Sequence, residues 1–250
     1  MSQKKETKGN KQKVIHICII AAIIVVILAV AGIVILRYQV EGETNLPFAL
    51  TKLIIVSSAE GYDNVNPAAK WDFTIDQNND IYVSLEKNPN YKKSETIKRV
   101  AFENIHIEDT ENNMNIALYR PADSGLYQKD NNYKVEGNIT YTGSQETKLS
   151  NLEIANQGGV LLFRVANQNV ATYQSNEEEE ITHDGTLLAK TDVALESLQG
   201  TLVFDMIIET GSGVQYKATI REQIPVGDIL GEGTCTLEKT DFSDVVFKRV

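Results

Sequence analysis

Hydrophobic residues fall along this chain in two regimes. Between Val14 and Leu36 the sequence reads VIHICIIAAIIVVILAVAGIVIL, uncharged throughout and with only His16 as a polar interruption near one end. At about 1.5 Å per residue this segment reaches roughly 34 Å as a helix, enough for a hydrocarbon core of about 30 Å. A transmembrane helix over 14–36 is the expectation. Beyond residue 50 the pattern changes to alternation. In GTLVFDMIIETGSGVQYKATIR, Leu202, Phe204, Met206 and Ile208 share one face. Gly211-Ser212-Gly213 supplies a turn, and Val214, Tyr216, Ala218 and Ile220 resume the alternation. This predicts a β-hairpin.

WDFTIDQNNDIYVSL predicts a second hairpin by the same logic. Trp71, Phe73 and Ile75 lie on one arm, the polar run 77–80 forms the turn, and Ile81, Val83 and Leu85 lie on the other arm. YKVEGNITY alternates through Tyr133, Val135, Ile139 and Tyr141, and further strands are expected within 53–57, 100–107, 116–119, 160–165 and 245–248. ETIKRVAFENI also fits a helix through Ile97, Val100 and Ala101, but a strand is preferred. About ten short strands at such spacing predict an antiparallel β-sandwich, jelly-roll-like or Ig-like. The fold class is therefore mainly β behind an amino-terminal transmembrane helix. The organisation is a tail (1–13), the membrane helix (14–36), a polar stalk punctuated by Gly and Pro (37–49), and one sandwich (50–250). The stretch TGSQETKLSN, 142–151, is the place where two smaller sandwiches would divide.

Charge orients this layout. The tail carries five lysines against Glu6, for +4, while 38–250 keeps 18 Lys and Arg against 33 Asp and Glu, for −15. Basic residues stay on the cytoplasmic side, so the carboxy-terminal domain is expected outside the cell membrane. The rival is a cleaved signal peptide, for which Ala29-Val30-Ala31 has the small-x-small form. So acidic a domain repels nucleic acid. The two cysteines, Cys18 in the membrane segment and Cys235 beyond it, cannot pair across the bilayer, so no intramolecular disulfide is expected and the domain must stand on its core.

The sequence contains no GxSxG elbow, phosphate-cradling glycine loop, zinc-type Cys or His pair, or EF-hand loop. One constellation passes that filter. A cysteine transpeptidase needs a thiolate, a histidine and an oxyanion donor, roles that Cys235, His183 and Arg249 could fill. With EGTCTL around Cys235 and the chain order His, Cys, Arg, the layout resembles the sortases, anchored cell-wall transpeptidases with an exterior β-barrel. The resemblance implies His183 as acid/base, Cys235 as nucleophile and Arg249 as electrostatic stabiliser. It departs from the family at Glu232, where the TLxTC motif has its leucine, and at Thr182-His183-Asp184-Gly185.

SNEEEEITHDGTLLAK suggests calcium, the one cofactor considered, with Glu179 and Asp184 as the best pair. Neighbouring side chains of an extended run alternate faces, so a solvated acidic loop is the plainer reading. His106, between Ile105 and Ile107, should point away from the core. The sequon at Asn138 falls in a predicted strand, and the ten tyrosines leave open a carbohydrate-binding surface. RYQVEGETNLPFALTKLIIVSSAEG and LLFRVANQNVATYQSNEEEEITHDGTLL resemble uncharacterised single-pass envelope proteins of Gram-positive bacteria, a likeness that implies a setting and no activity. The expectation is a membrane-anchored binding or scaffolding module, with envelope proteins or wall glycan as partners. A sensor working through a cytoplasmic partner is a third reading.

Overall fold

The computed structural model describes residues 16–35, 45–108, 114–122, 129–144, 152–181 and 185–250. The tail, both ends of the apolar run and most of the stalk lie outside them. Helix α1, His16–Ile35, is long and apolar enough to cross a membrane, and none of it is buried against the rest of the chain. Twelve strands follow among the described residues. They are β1 (Phe48–Asp63), β2 (Trp71–Lys87), β3 (Ile97–Glu108), β4 (Ile116–Tyr119), β5 (Lys134–Val135), β6 (Ile139–Gly143), β7 (Glu153–Ile154), β8 (Gly158–Ser175), β9 (Thr201–Thr210), β10 (Gln215–Gln223), β11 (Thr234–Lys239) and β12 (Lys248–Arg249). A short helix, α2 (Ile229–Glu232), precedes β11, and two 3-10 turns, Gly185–Lys190 and Leu195–Leu198, lie between β8 and β9.

The strands form two six-stranded sheets, in the orders β11-β1-β2-β8-β4-β5 and β12-β10-β9-β3-β6-β7. All pairings are antiparallel except β6 with β7. The chain passes repeatedly from sheet to sheet, and one apolar cluster draws on residues from Phe48 to Phe247. A single sandwich results, and its core includes both sides of the expected seam, of which residues 145–151 lie outside the described ones.

Alternation explains the core. Leu202, Phe204, Met206 and Ile208 of β9 are fully buried, as are Phe102 of β3 and Phe163 of β8. Phe163 of the first sheet meets Phe102 and Phe204 of the second at ring-centroid distances of 4.9 and 5.4 Å, and Phe102 meets Phe204 edge-on at 5.7 Å. These separations suit tilted and edge-to-face aromatic contact and join the sheets at mid-height. Tyr141 of β6 adds a polar tie, because its hydroxyl donates to the Leu162 carbonyl at 2.6 Å and accepts from the Leu162 amide at 3.0 Å. It thereby satisfies the β8 backbone beyond the reach of β4, and burial raises its hydroxyl pKa to about 12.

The 201–223 segment is the expected hairpin. Its turn is pinned from outside, since the Glu95 carboxylate accepts from the Ser212 amide at 3.1 Å and from its hydroxyl at 2.6 Å. ETIKRVAFENI is strand from Ile97 onward, as the start of β3. The second expected hairpin is corrected. Residues 71–87 form one strand of 17 residues, and the polar run 77–80 lies in its middle.

Parity is unbroken through that run. Gln77 and Asn79 share the core face with Ile75 and Ile81, while Asp76, Asn78 and Asp80 lie on the other face; each residue finds a partner, and Asn79 Oδ1 alone of their buried side-chain atoms is left without one. Gln77 Nε2 donates to Ser57 Oγ at 3.1 Å and to the Leu198 carbonyl at 3.0 Å. Asn79 Nδ2 donates to the Val165 carbonyl at 3.1 Å. Asn78 donates to Glu60 at 2.9 Å, and Asp80 takes a two-pronged contact from Arg164, directly opposite on β8. A polar run reads as a turn only while such partners are unknown.

Three smaller differences follow. YKVEGNITY is split between the sheets as β5 and β6, because Gly137 at φ 91° breaks the strand, and Asn138 sits in that break instead of within a strand. The 245–248 strand shrinks to the two residues of β12. The expected short strands are instead long in β1, β2 and β8, with 16, 17 and 18 residues.

Candidate ligand cleft

Long strands rarely stay regular, and β8 breaks where the sequence reads Asn167-Gln168-Asn169-Val170. Opposite β2, Ile75 pairs with Ala171 and Gln77 with Asn167, so three residues of β8 oppose Asp76 alone. Such a bulge needs a residue that accepts a left-handed conformation, and Asn169 supplies it at φ 58°. The bulge is held from both sides. The Asn169 amide donates to Asp76 Oδ1 at 2.9 Å, and the Gln168 amide donates to the Asn115 carbonyl at 2.8 Å. Asp76 is itself buried, and its other oxygen meets Lys129 Nζ at 2.7 Å.

The bulge opens a cleft of about 360 Å³ lined by Met114, Asn115, Asn167, Gln168, Asn169, Val170 and Ser197. None of these side chains is charged, in a chain of net charge −10. Asn167 Nδ2 reaches Gln77 Oε1 at 3.4 Å, so the cleft wall continues into the buried amide row. Gln168 donates to the Tyr119 hydroxyl at 3.3 Å, and Ser197 donates to the Ala194 carbonyl at 2.7 Å. The Asn115 and Asn169 side-chain amides bond to no other described residue. Bulges that aim side chains in this way recur beside binding sites. The residues of this cleft are inconspicuous in the sequence. Its one sequence signal is the amide triplet interrupting the alternation between Val160 and Tyr173.

Of the residues singled out from the sequence, Cys235, Arg249 and Glu179 are among the described ones. His183 and Asp184 lie outside the described residues, and with them the His183–Cys235 separation and the Glu179–Asp184 pair. Cys235 is half-buried on edge strand β11, in register with Ser57, and Arg249 lies on β12, an edge of the other sheet, in register with Tyr216. Glu179 has both carboxylate oxygens engaged, one by the Tyr173 hydroxyl and one by Lys190. The Lys190 ammonium, with help from Tyr173, holds its carboxyl down at about 2. Glu178 pairs with Lys70 at 2.8 Å, so these two carboxylates of the acidic run engage separate partners. Among the described residues, no three His, Cys, Asp or Glu side chains converge as a metal-ligand set.

His106 faces outward as expected, into a shallow concavity on the second sheet with Asn104, Glu108, Asp205, Thr219 and Arg221. Its Nδ1 lies 2.6 Å from the Asn104 carbonyl oxygen and its Nε2 lies 2.9 Å from Glu108 Oε1. Only the imidazolium can donate to both. The Asn104 carbonyl first, and then Glu108, lift its pKa above the ordinary value. The associated stabilisation is complete below the unfolded value of about 6.5 and fades as pH rises through the higher folded value. An NMR titration is expected to place the His106 midpoint above about 6.5 and to show Glu108→Gln lowering it. A midpoint at or below that value would contradict this geometry.

Compared with known proteins, the chain matches no protein-family model, no curated protein and no solved structure.

Proposed function

We propose that this chain is a membrane-anchored binding module of the cell envelope, in which α1 crosses the membrane and the sandwich recognises an envelope component outside it. The observation that carries the reading is the pairing of an uncovered apolar helix with a sandwich that has its own continuous core and an uncharged cleft. The lysine-rich tail keeps the amino terminus inside. Anchoring raises the local concentration of the cleft at the membrane surface, so modest intrinsic affinity suffices. The resemblance to single-pass envelope proteins of Gram-positive bacteria supplies the proposed setting.

The test is sedimentation. Full-length protein in lipid nanodiscs, mixed with an isolated Gram-positive envelope fraction, is expected to pellet with it well above the level of empty nanodiscs. Equal distribution of loaded and empty discs would contradict a binding role.

A further inference from the structure

We propose that the cleft at the β8 bulge binds a neutral, N-acetylated sugar unit of an envelope glycan; this rests on the binding-module reading above and names its ligand class. Three observations point there. The first is the chemistry of the lining. Asn115, Asn167, Gln168, Asn169 and Ser197 present amide and hydroxyl groups, and Met114 and Val170 add apolar surface. Each amide both donates and accepts, which matches sugar hydroxyls and an acetamido group, and no described lining residue is charged, which disfavours an ionic ligand. The apolar pair offers contact to the acetyl methyl or a ring face.

The second observation is size. A cleft of about 360 Å³ lies at the small end of the range for small-molecule sites, roughly 300–1,000 Å³.

The third observation separates a sugar from a peptide. A peptide that docks on a sheet takes its affinity from a free strand edge. β4 pairs with β8 only as far as Asn167 and β2 skips residues 168–170, yet the bulge offers no run of free donors, because the Gln168 and Asn169 amides are consumed by Asn115 and Asp76. Recognition is left to side-chain amides, and the Asn115 and Asn169 amides are uncommitted within the described chain. Asp76 is a positioning residue here, since it reaches the cleft only through the Asn169 backbone.

Full-length protein in nanodiscs is titrated with N,N′-diacetylchitobiose by saturation-transfer NMR. Binding is expected with a Kd of about 1 mM or tighter. The double variant Asn115→Ala/Asn169→Gly is expected to weaken it about tenfold or more, as the loss of two hydrogen-bonding amides implies. Glycine accepts the positive φ at 169, so the variant should keep the parent near-UV circular dichroism and melting temperature. Absence of binding, or equal binding by parent and variant, overturns the assignment. A neutral tripeptide amide serves as the comparison ligand; if it binds at the cleft and the sugar does not, the ligand class is wrong. Should the envelope sedimentation hold while the sugar fails, only the ligand falls and the module stands.

Discussion

Phe204→Ala is expected to lower the melting temperature of the sandwich on the order of 10 °C. Phe204 is fully buried, and its ring touches both Phe102 and Phe163, so removing it opens a cavity at the junction of the two sheets. Phenylalanine-to-alanine changes in such positions cost about 3–5 kcal/mol, the sum of lost transfer energy and unfilled space. In a domain of this size each kcal/mol shifts the midpoint by roughly 2–4 °C. Neighbouring rings on different strands cannot close the gap without moving a sheet. Thermal unfolding followed by near-UV circular dichroism reads this directly, and a shift below about 3 °C would mean that the aromatic trio does not join the sheets.

Gln77→Ala is the second large effect, and it discriminates between two accounts of one sequence. Were 77–80 the hairpin turn that the polar run suggests, the change would fall on a solvated side chain and be near neutral. In β2 it removes the donor to Ser57 Oγ and to the Leu198 carbonyl and the acceptor of Asn167 Nδ2, all inside the sandwich. Buried groups left unpaired cost about 1–3 kcal/mol each, so a total of about 2–4 kcal/mol is expected once partial relaxation is allowed. The loss should also loosen the Leu195–Leu198 turn, and with it Ser197 of the cleft. Denaturant unfolding with an unchanged m value and a lowered midpoint is the expected signature. A midpoint equal to the parent's would restore the turn.

That residue also shows how far the sequence could be read. Periodicity was enough wherever side chains were unambiguous. The 201–223 hairpin, β3 and the sandwich class follow from alternation of apolar and polar positions, a property local to each strand. The continuity of β2 was not legible, because whether Gln77 and Asn79 are buried depends on Ser57, Val165 and Leu198, distant in sequence and brought together only by the fold. Asp80 likewise reads as a turn residue until Arg164 is placed opposite it.

The cleft was hidden for a related reason. Amides carry no charge pattern and no spacing rule, so Asn167, Gln168 and Asn169 resemble loop residues. Only the mismatch of three residues of β8 against Asp76 reveals that they line a concavity. Glu179, His183 and Cys235, by contrast, carry chemistry that is conspicuous in a sequence. In the fold, Glu179 is bound to Lys190 and Tyr173, and Cys235 packs beside the Gly227 backbone on an edge strand.

The central claim is that the sandwich stands outside a membrane crossed by α1, and site-directed thiol labelling in intact cells tests it most directly. In a background with Cys18 and Cys235 replaced by serine, Val65→Cys places one thiol on the fully exposed loop between β1 and β2. A membrane-impermeant maleimide is expected to label it in intact cells, while Lys4→Cys in the tail reacts only after the membrane is opened. Labelling of Lys4→Cys from outside, with Val65→Cys protected until lysis, would contradict the account.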